Sequence, residues 1–268
     1  VFAAGVKSKW RNKEIGLAAT SLTASEVNSE EVTFLRLMQD YCIYTPNTDT
    51  LRGLSPDSIR GAIGIHGGGL AESLEKLLNS KSESVYRDEA FKAIDWIDDV
   101  TIQKSASMLL SPSVTRQQKV IVFQDKFMNA SRNKLTAYDA SEGALYILLA
   151  FILARSPDTL PLFAVDNFDQ ALNPKLTERM MRLFCRWMLC EATKPRQALL
   201  TVHNPAALDG LPINDDRIRL FAVDRDSTGV TRVSRQRITT ELQQLANQHG
   251  WPLSRLWVMG HLGGIPND

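Results

Sequence analysis

The sequence predicts an α/β fold, in which a sheet of buried strands is flanked by helices. Two short apolar runs, Leu162–Val165 and 198–202, lack helical periodicity, which is typical of strands buried on both faces. Between them, residues 174–190 place apolar side chains at helical spacing. The chain has 268 residues, of which 44% are hydrophobic, enough for one large domain or two small ones.

The same patterns predict the other elements in chain order. Helical spacing predicts helices over 30–44, Leu70–Leu78, 86–102, 142–154, 239–249 and 253–262, and an apolar run predicts a strand over Lys119–Asp125. Alternating runs at 217–223 and 230–237, on either side of a polar loop, predict a β-hairpin.

Two acids follow the strand Leu162–Val165: Asp166 comes directly after it, and Asp169 three residues later. Open α/β sheets bind their ligands at the carboxyl ends of the strands, and Mg²⁺ prefers hard oxygen ligands. The strand end is therefore a candidate magnesium and phosphate site. The structural alternative is a strand that ends in an ordinary polar turn.

Two further motifs lie on either side of these acids in sequence. Ser141-Glu142-Gly143 opens the predicted helix 142–154, and a helix start exposes unpaired N–H groups that can bind a phosphate. His203 ends the strand run 198–202, before an Asn-Pro turn. Each has a structural alternative, since Ser141 could simply cap the helix and a single histidine is usually structural.

Taken in this order, the three motifs resemble the C-terminal lobe of an ABC-type ATPase head, in the branch that contains RecF, the SMC proteins and the OLD-like ATPases. The resemblance implies a P-loop NTPase-like sheet flanked by helices, with a helical insertion. It assigns Ser141, Glu142 and Gly143 to the signature motif, Asp166 to Walker B, 168–173 to the D-loop region and His203 to the switch histidine. It is firm over residues 135–223 and faint over 61–78.

The resemblance also implies the chemistry. ATP and Mg²⁺ are the expected cofactors, with Asp166 contacting the metal and Asp166, Asn167, Asp169 and His203 as catalytic residues. The signature motif would contact the nucleotide of the opposite subunit, so a homodimer with ATP between the heads is expected. Members of this branch act in DNA repair or in defence against phage, often with a nuclease, which makes DNA and a nuclease the expected partners.

Asn167 departs from the family pattern, which has a glutamate directly after the Walker B aspartate. An amide cannot accept a proton at neutral pH, although it can position water by hydrogen bonds. Hydrolysis is then slow, or Asp169 acts as the base, or Asn167 is an engineered change that traps the ATP-bound state. A general base contributes about 10²–10⁴-fold, so we expect slow turnover with binding retained.

A P-loop of the form G-x-x-x-x-G-K-[S/T] does not occur in the sequence, which contains no Gly-Lys dipeptide. We expect the P-loop to belong to a preceding part of a longer protein or to a separate chain; the alternative is a degenerate ATPase. Accordingly, residues 1–115 are predicted to hold the end of an N-terminal lobe and a helical linker, and 116–268 the catalytic C-terminal lobe. The glycine-rich stretch 61–70 lacks the lysine of a phosphate-binding loop, so a turn before helix Leu70–Leu78 is the favoured interpretation.

Composition excludes several other classes. The formal charge is +1, so no overall field favours nucleic acid or membranes, and the longest apolar stretch, 144–154, is too short for a bilayer, which takes about 20 helical residues. Three cysteines without a C-x-x-C pair indicate a reducing compartment, so a cytoplasmic location is expected. Motifs of serine hydrolases, zinc proteases and Rossmann dehydrogenases are absent.

Two alternatives to an ATPase stay open. One is a non-hydrolysing scaffold that keeps the fold and the dimer surface, which the missing P-loop and Asn167 both favour. The other is a nucleic-acid-binding module, whose affinity would fall steeply with added salt.

Overall fold

The computed structural model describes residues 41–104, 118–190 and 195–262. The strands are β1 (Cys42–Tyr44), β2 (Ile59–Arg60), β3 (Ile63–Gly64), β4 (Ile97–Lys104), β5 (Lys119–Asp125), β6 (Lys134–Thr136), β7 (Leu162–Val165), β8 (Gln197–Leu200), β9 (Leu220–Arg225) and β10 (Thr231–Gln236). The helices are α1 (Thr48–Leu51), α2 (Leu70–Leu78), α3 (Ser84–Ala93), α4 (Glu142–Arg155), α5 (Pro174–Leu189), α6 (Thr240–His249) and α7 (Leu253–Val258). Short 3₁₀ helices span Lys81–Glu83 and Pro205–Gly210.

A parallel sheet of three strands, in the order β1-β7-β8, positions the predicted site. Its register aligns Ile43 with Ala164, and Ala164 with Leu199. The strands β4, β5 and β6 form a separate antiparallel sheet, and β9 pairs with β10 as a hairpin. A parallel sheet with helices packed on it confirms the predicted α/β class.

The parallel sheet is buried on one face and partly exposed on the other. On one face Tyr44, Phe163 and Val165 are buried in the main core, which the helix α4 shares. On the other face Ile43 and Leu199 are 51% and 49% exposed. Parallel sheets are ordinarily covered on both faces, so this open apolar face is a surface on which further structure can pack.

The helix α4 forms the centre of the core. Every residue from Gly143 to Arg155 is buried, as expected for a helix that is apolar all round. At its end the buried Arg155 donates two hydrogen bonds to Glu83, 2.6 and 2.9 Å long, and its guanidinium lies over the ring of Tyr86. Burial alone lowers the pKa of Arg155, but the hydrogen bonds and charge of Glu83 outweigh it and raise the pKa overall.

The predicted helix 86–102 is wrong in its second half. The helix α3 ends at Ala93, and Ile97 begins β4, which pairs with β5. A register shift between Ile97 and Asp99 makes a bulge, so the buried residues Ile97 and Val100 are three apart instead of two. The helix prediction rests on Phe91, Ile94 and Ile97 at helical spacing, and that spacing continues across the end of α3 into the strand.

Residues 1–40 lie outside the described part, and with them most of the predicted helix 30–44. The last residues of that helix, Cys42–Tyr44, are wrong, since they form β1. In β1 the buried Cys42 and Tyr44 alternate with the exposed Ile43, a period of two that three residues are too few to reveal. The predicted domain boundary between 115 and 116 also falls outside the described residues.

The glycine-rich stretch wraps around a side chain of the chain itself. The carboxylate of Asp57 accepts hydrogen bonds from the N–H groups of His66 and Gly68, at 2.8 and 3.0 Å. A Cβ at Gly64 or Gly68 would clash with Asp57. The backbone amides that could have bound a phosphate therefore bind this carboxylate, and Gly69 caps α2, as the turn interpretation expected.

The C-terminal part packs as a smaller cluster. Leu208, Leu256 and Leu262 are its buried members, with side chains from the hairpin and from α6 around them. The predicted helices Leu70–Leu78, 142–154, 174–190 and 239–249 and the predicted hairpin match the structure within a few residues, while the helix predicted over 253–262 ends at Val258.

Among the described helices, none is long and apolar enough to cross a membrane. Cys42 and Cys185 are buried, and burial raises the pKa of Cys185 to about 12.

Candidate functional site

Asp166 lies at the carboxyl end of β7, in the middle strand of the parallel sheet. Its N–H donates to the carbonyl of Tyr44 at 2.9 Å, which continues the pairing with β1 one residue beyond the strand. Its carboxylate oxygen Oδ1 accepts a hydrogen bond of 2.6 Å from the hydroxyl of Thr201. Within the described part of the chain, Oδ2 has no hydrogen-bond partner, so one oxygen of a half-buried carboxylate stays available to a ligand.

Thr201 is a site residue that sequence reasoning missed. Its hydroxyl accepts from the N–H of Asn167 at 2.8 Å while donating to Asp166, and its carbonyl accepts from the N–H of Phe168 at 2.9 Å. Thr201 thereby ties the end of β8 to the turn after β7. The available signal was its position directly after a strand, two residues before His203.

Asn167 and His203 form a direct contact. The ring nitrogen Nε2 of His203 lies 2.9 Å from Oδ1 of Asn167, so the ring donates from Nε2–H when the amide has this orientation. Within the described residues Nδ1 has no hydrogen-bond partner, so in this tautomer its lone pair can accept a hydrogen bond from water. Asn167 adopts a left-handed backbone with φ of 54°, a conformation that asparagine tolerates better than glutamate does.

Asp169 is buried and binds the backbone after β8. Its carboxylate accepts from the N–H of His203, at 3.1 and 3.2 Å, and from the N–H of Asn204 at 2.6 Å. A carboxylate occupied in this way stabilises the loop that positions His203. The geometry favours this positioning role over the alternative that Asp169 is the catalytic base.

Replacing Asp169 with alanine is expected to lower the free energy of unfolding by about 1–3 kcal/mol, because two N–H groups lose their acceptor. Urea denaturation measures this change. The control is Gln170→Ala, at an exposed position of the same turn, which should stay within about 0.5 kcal/mol of the unchanged chain. If the Asp169→Ala chain keeps its stability but loses its hydrolytic activity, Asp169 is instead identified as the base.

The signature segment begins α4 beside the acidic turn. Ser141 takes the N-cap position, but its side chain makes no capping hydrogen bond, and both Ser141 and Glu142 are exposed. Gly143 faces the turn closely, since a Cβ there would lie 3.3 Å from the carbonyl oxygen of Ala171. The chain therefore brings Gly143 alongside the loop after Asp169 and leaves the Ser141 hydroxyl available at the helix start.

An open pocket of about 440 Å³ lies over this region, lined by Asn167, Asp169, Gln170 and His203. It opens directly to solvent, so a phosphate and water could reach the pair formed by Asn167 and His203. No three histidine, cysteine or acidic side chains of the described residues form a ready-made metal cluster. Mg²⁺ nevertheless fits Asp166, since this ion is commonly held by one or two carboxylates together with water and phosphate oxygens.

A family described as "AAA domain, putative AbiEii toxin, Type IV TA system" matches residues 57–209, more than half of the 268 residues. The match covers the glycine-rich turn, the signature segment, both acids and His203. No curated protein matches the chain.

Several solved structures are distantly similar. One is described as "Structural biochemistry of ATP-driven dimerization and DNA stimulated activation of SMC ATPases"; it has 12% identity and a TM-score of 0.37, over 63% of this chain and 95% of that one. An Smc head domain with a coiled coil and joint from Pyrococcus yayanosii has 16% identity and a TM-score of 0.38, over 67% of this chain and 30% of that one. An Smc head bound to the C-terminal domain of ScpA, from Pyrococcus furiosus, has 12% identity and a TM-score of 0.38, over 67% of this chain and 40% of that one. Likenesses this distant support no argument about this chain.

Proposed function

Since the chain belongs to the AAA domain family described as a putative AbiEii toxin of a type IV TA system, we propose that it binds ATP with Mg²⁺ and hydrolyses the nucleotide slowly. One observation supports this most strongly: an Asp166 carboxylate with a free oxygen at the end of the central strand, beside the pair formed by Asn167 and His203. Parallel α/β sheets place ligands at such strand ends.

Asp166 is the proposed metal contact, with the Thr201 hydroxyl holding its carboxylate in place. When bound, Mg²⁺ would neutralise charge on the phosphate oxygens. Thr201 limits the rotation of the carboxylate because it hydrogen-bonds Oδ1 and the backbone of the same turn at once. The free Oδ2 is thereby oriented before any ligand arrives.

His203 is the proposed residue that positions water. Asn167 binds Nε2, and this contact keeps the Nδ1 lone pair of a neutral ring available to a water molecule in the open pocket. Asp169 fixes the backbone of His203 by accepting a hydrogen bond from its N–H. In this arrangement Asn167 orients the histidine and has no proton-accepting role of its own.

We further propose that two copies pair around the nucleotide, as the resemblance to ABC-type heads implies. Ser141, Glu142 and Gly143 would then face the phosphate held by the opposite copy. The exposed hydroxyl of Ser141 at a helix start supports this, because unpaired N–H groups there favour an anion. The open sheet face with Ile43 and Leu199 is the proposed packing surface for the element that bears a P-loop.

Replacing Asn167 with glutamate is expected to raise the rate of ATP hydrolysis by about 10–100-fold, at or below the lower end of the range of about 10²–10⁴-fold for a general base. The gain is limited because glutamate costs about 1 kcal/mol or more in the left-handed backbone of this position. Steady-state phosphate release measures the rate. Asn167→Asp is the matched variant, because aspartate adds the same charge and tolerates the backbone better. If neither acid raises the rate, the hypothesis that Asn167 makes hydrolysis slow is excluded.

The biological role that we propose is defence against phage or DNA repair, as the resemblance to the branch of RecF, SMC and OLD-like ATPases implies. The family itself is described as a putative AbiEii toxin of a type IV TA system. A DNA ligand and a nuclease or other effector subunit belong to this proposal, as does the assignment to the branch of RecF, SMC and OLD-like ATPases. Purifying the natural protein from phage-challenged cells and measuring associated nuclease activity tests the role. Activity that appears without infection and without ATP would contradict it.

A non-hydrolysing scaffold is the second candidate, and a specific observation favours it. The 268 residues contain no Gly-Lys dipeptide, and the position after Asp166 is an amide. Measuring nucleotide binding separates the two candidates, because a scaffold would show no Mg-ATP binding at any concentration near the cellular level.

A further inference from the structure

The hairpin of β9 and β10 has one buried and one open face. The register places Val223 opposite Val233 and Phe221 opposite Arg235, and directly opposite residues of a hairpin share a face. The alternate residues point the other way: Ala222 among them is buried, and Leu220 packs against the C-terminal cluster. Phe221, Val223 and Val233 are 50%, 64% and 66% exposed, so an apolar strip occupies the middle of the open face.

Arginines lie at both ends of this strip, and acids are absent from it. Arg225 stands opposite Thr231 at one end, and Arg235 opposite Phe221 at the other. Both arginines are exposed and form no ion pair with the described residues. The open face thus combines two unpaired cations with an exposed aromatic ring.

The acids of the hairpin lie outside the open face. Asp224 belongs to the opposite face, aligned with Arg232. Asp226, in the turn, accepts a hydrogen bond of 2.9 Å from Arg232. Hydrogen bonds from Thr228, Val230 and Arg232 lower the pKa of Asp226 to about 2. The turn therefore neutralises Arg232 and leaves the positive charge of the open face uncompensated.

The chemistry of this face fits a polyanion that also exposes planar rings: the anionic groups match the arginines, and the rings match the apolar strip. Residues 221 and 225 are separated by about 13 Å along the strand, which is long enough for several linked anionic groups. An exposed aromatic ring next to arginines suits unpaired bases, since a base can stack on the ring while phosphates meet the guanidinium groups. A duplex keeps its bases stacked inside, so it would use the arginines and leave the apolar strip uncovered.

We propose that the open face of the hairpin, with Phe221, Val223, Arg225, Val233 and Arg235, binds single-stranded nucleic acid. Bases stack on Phe221 and pack against the two valines, and phosphates pair with the two arginines. The site is separate from Asp166 and His203 and does not depend on ATP. A failure of the proposed hydrolysis would therefore leave this proposal unaffected.

Fluorescence anisotropy on the full chain tests the proposal, with labelled oligothymidylate, oligouridylate, a DNA duplex of equal length and polyglutamate as probes. Both single strands are expected to bind more tightly than the duplex, and polyglutamate is expected not to compete. Comparison of the two single strands shows whether DNA or RNA is preferred. Equal competition by polyglutamate would overturn the proposal in favour of an acidic protein partner.

Three variants separate stacking from charge. Phe221→Ala should weaken binding by about 5–150-fold, the range for one stacked base, with the salt dependence unchanged. The double variant R225Q/R235Q should lower the slope of log affinity against log salt by about 1.4, the share of two phosphate contacts. The control R232Q removes an arginine from the other face and should bind as the unchanged chain does. Binding that Phe221→Ala and R225Q/R235Q leave intact, or no binding of single strands at low salt, would overturn the proposal.

Discussion

Replacing Asp166 with alanine is expected to lower Mg-dependent ATP hydrolysis by at least about 100-fold, because the chain loses the carboxylate proposed to contact the metal. The free oxygen of this carboxylate and its hydrogen bond from Thr201 place it at the strand end where the ligand is expected. Steady-state phosphate release at several Mg²⁺ concentrations measures the loss.

Asp216→Ala is the matched control, since Asp216 is an exposed acid distant in sequence from the site, and its turnover should not change. Thr201→Val should give an intermediate loss, because Asp166 remains but its orientation is no longer held. Unchanged turnover in the Asp166→Ala chain would remove Asp166 from the site, provided that circular dichroism shows both variants to be folded.

Replacing Glu83 with glutamine is expected to lower the free energy of unfolding by about 3–5 kcal/mol, the usual cost of leaving one member of a buried ion pair without its partner. The side chains of Arg155 and Glu83 are only 1% and 11% exposed. Arg155 also donates to the carbonyl of Trp187 at 3.3 Å, at the end of α5, so its charge connects three helical segments. Urea denaturation monitored by tryptophan fluorescence measures the change.

The exposed pair Lys76–Asp158 provides the comparison, with side chains 66% and 47% exposed. Asp158→Asn should cost no more than about 1 kcal/mol. The double variant Glu83→Gln with Arg155→Met should recover part of the stability, because it leaves no unpaired buried charge. Equal losses from Glu83→Gln and Asp158→Asn would contradict the prediction that Glu83 is needed to compensate the buried charge of Arg155.

Much of the fold could be predicted because the informative patterns are local. The run Leu162–Val165 is short, apolar and followed by acids, and it forms the central strand. The uniformly apolar run after Gly143 forms a helix buried on all sides. The helix is buried on all sides, whereas the strand was predicted to be buried on both faces and is fully buried on one only, since Leu162 and Ala164 are half-buried. Both runs are apolar without alternation, and their length distinguishes strand from helix.

The errors arise where distant parts of the chain decide the structure. The bulge at Ile97 changes a spacing of two into three, and only pairing with β5 shows it to be a strand. The glycine-rich stretch folds around Asp57, a residue outside it, which no local pattern indicates.

In the candidate site, too, the local features could be predicted and the long-range contacts could not. Asp166, Asn167 and His203 could be singled out from strand ends, and the structure brings Asn167 and His203 into contact. The links between them could not be predicted, because Thr201 and Asp169 act through hydrogen bonds across more than 30 residues of sequence. A hydroxyl at a strand end has no distinctive sequence pattern, and a buried acid resembles a catalytic one until its partners are known.

The central claim is that the natural protein binds Mg-ATP through Asp166 and turns it over slowly. Isothermal titration with Mg-ATP, together with steady-state phosphate release, tests it most directly on the full-length natural protein and its Asp166→Ala variant. Binding with slow turnover is expected in the natural protein, and loss of Mg-dependent turnover in the variant. Absence of Mg-ATP binding to the natural protein would contradict the account and identify the chain as a scaffold.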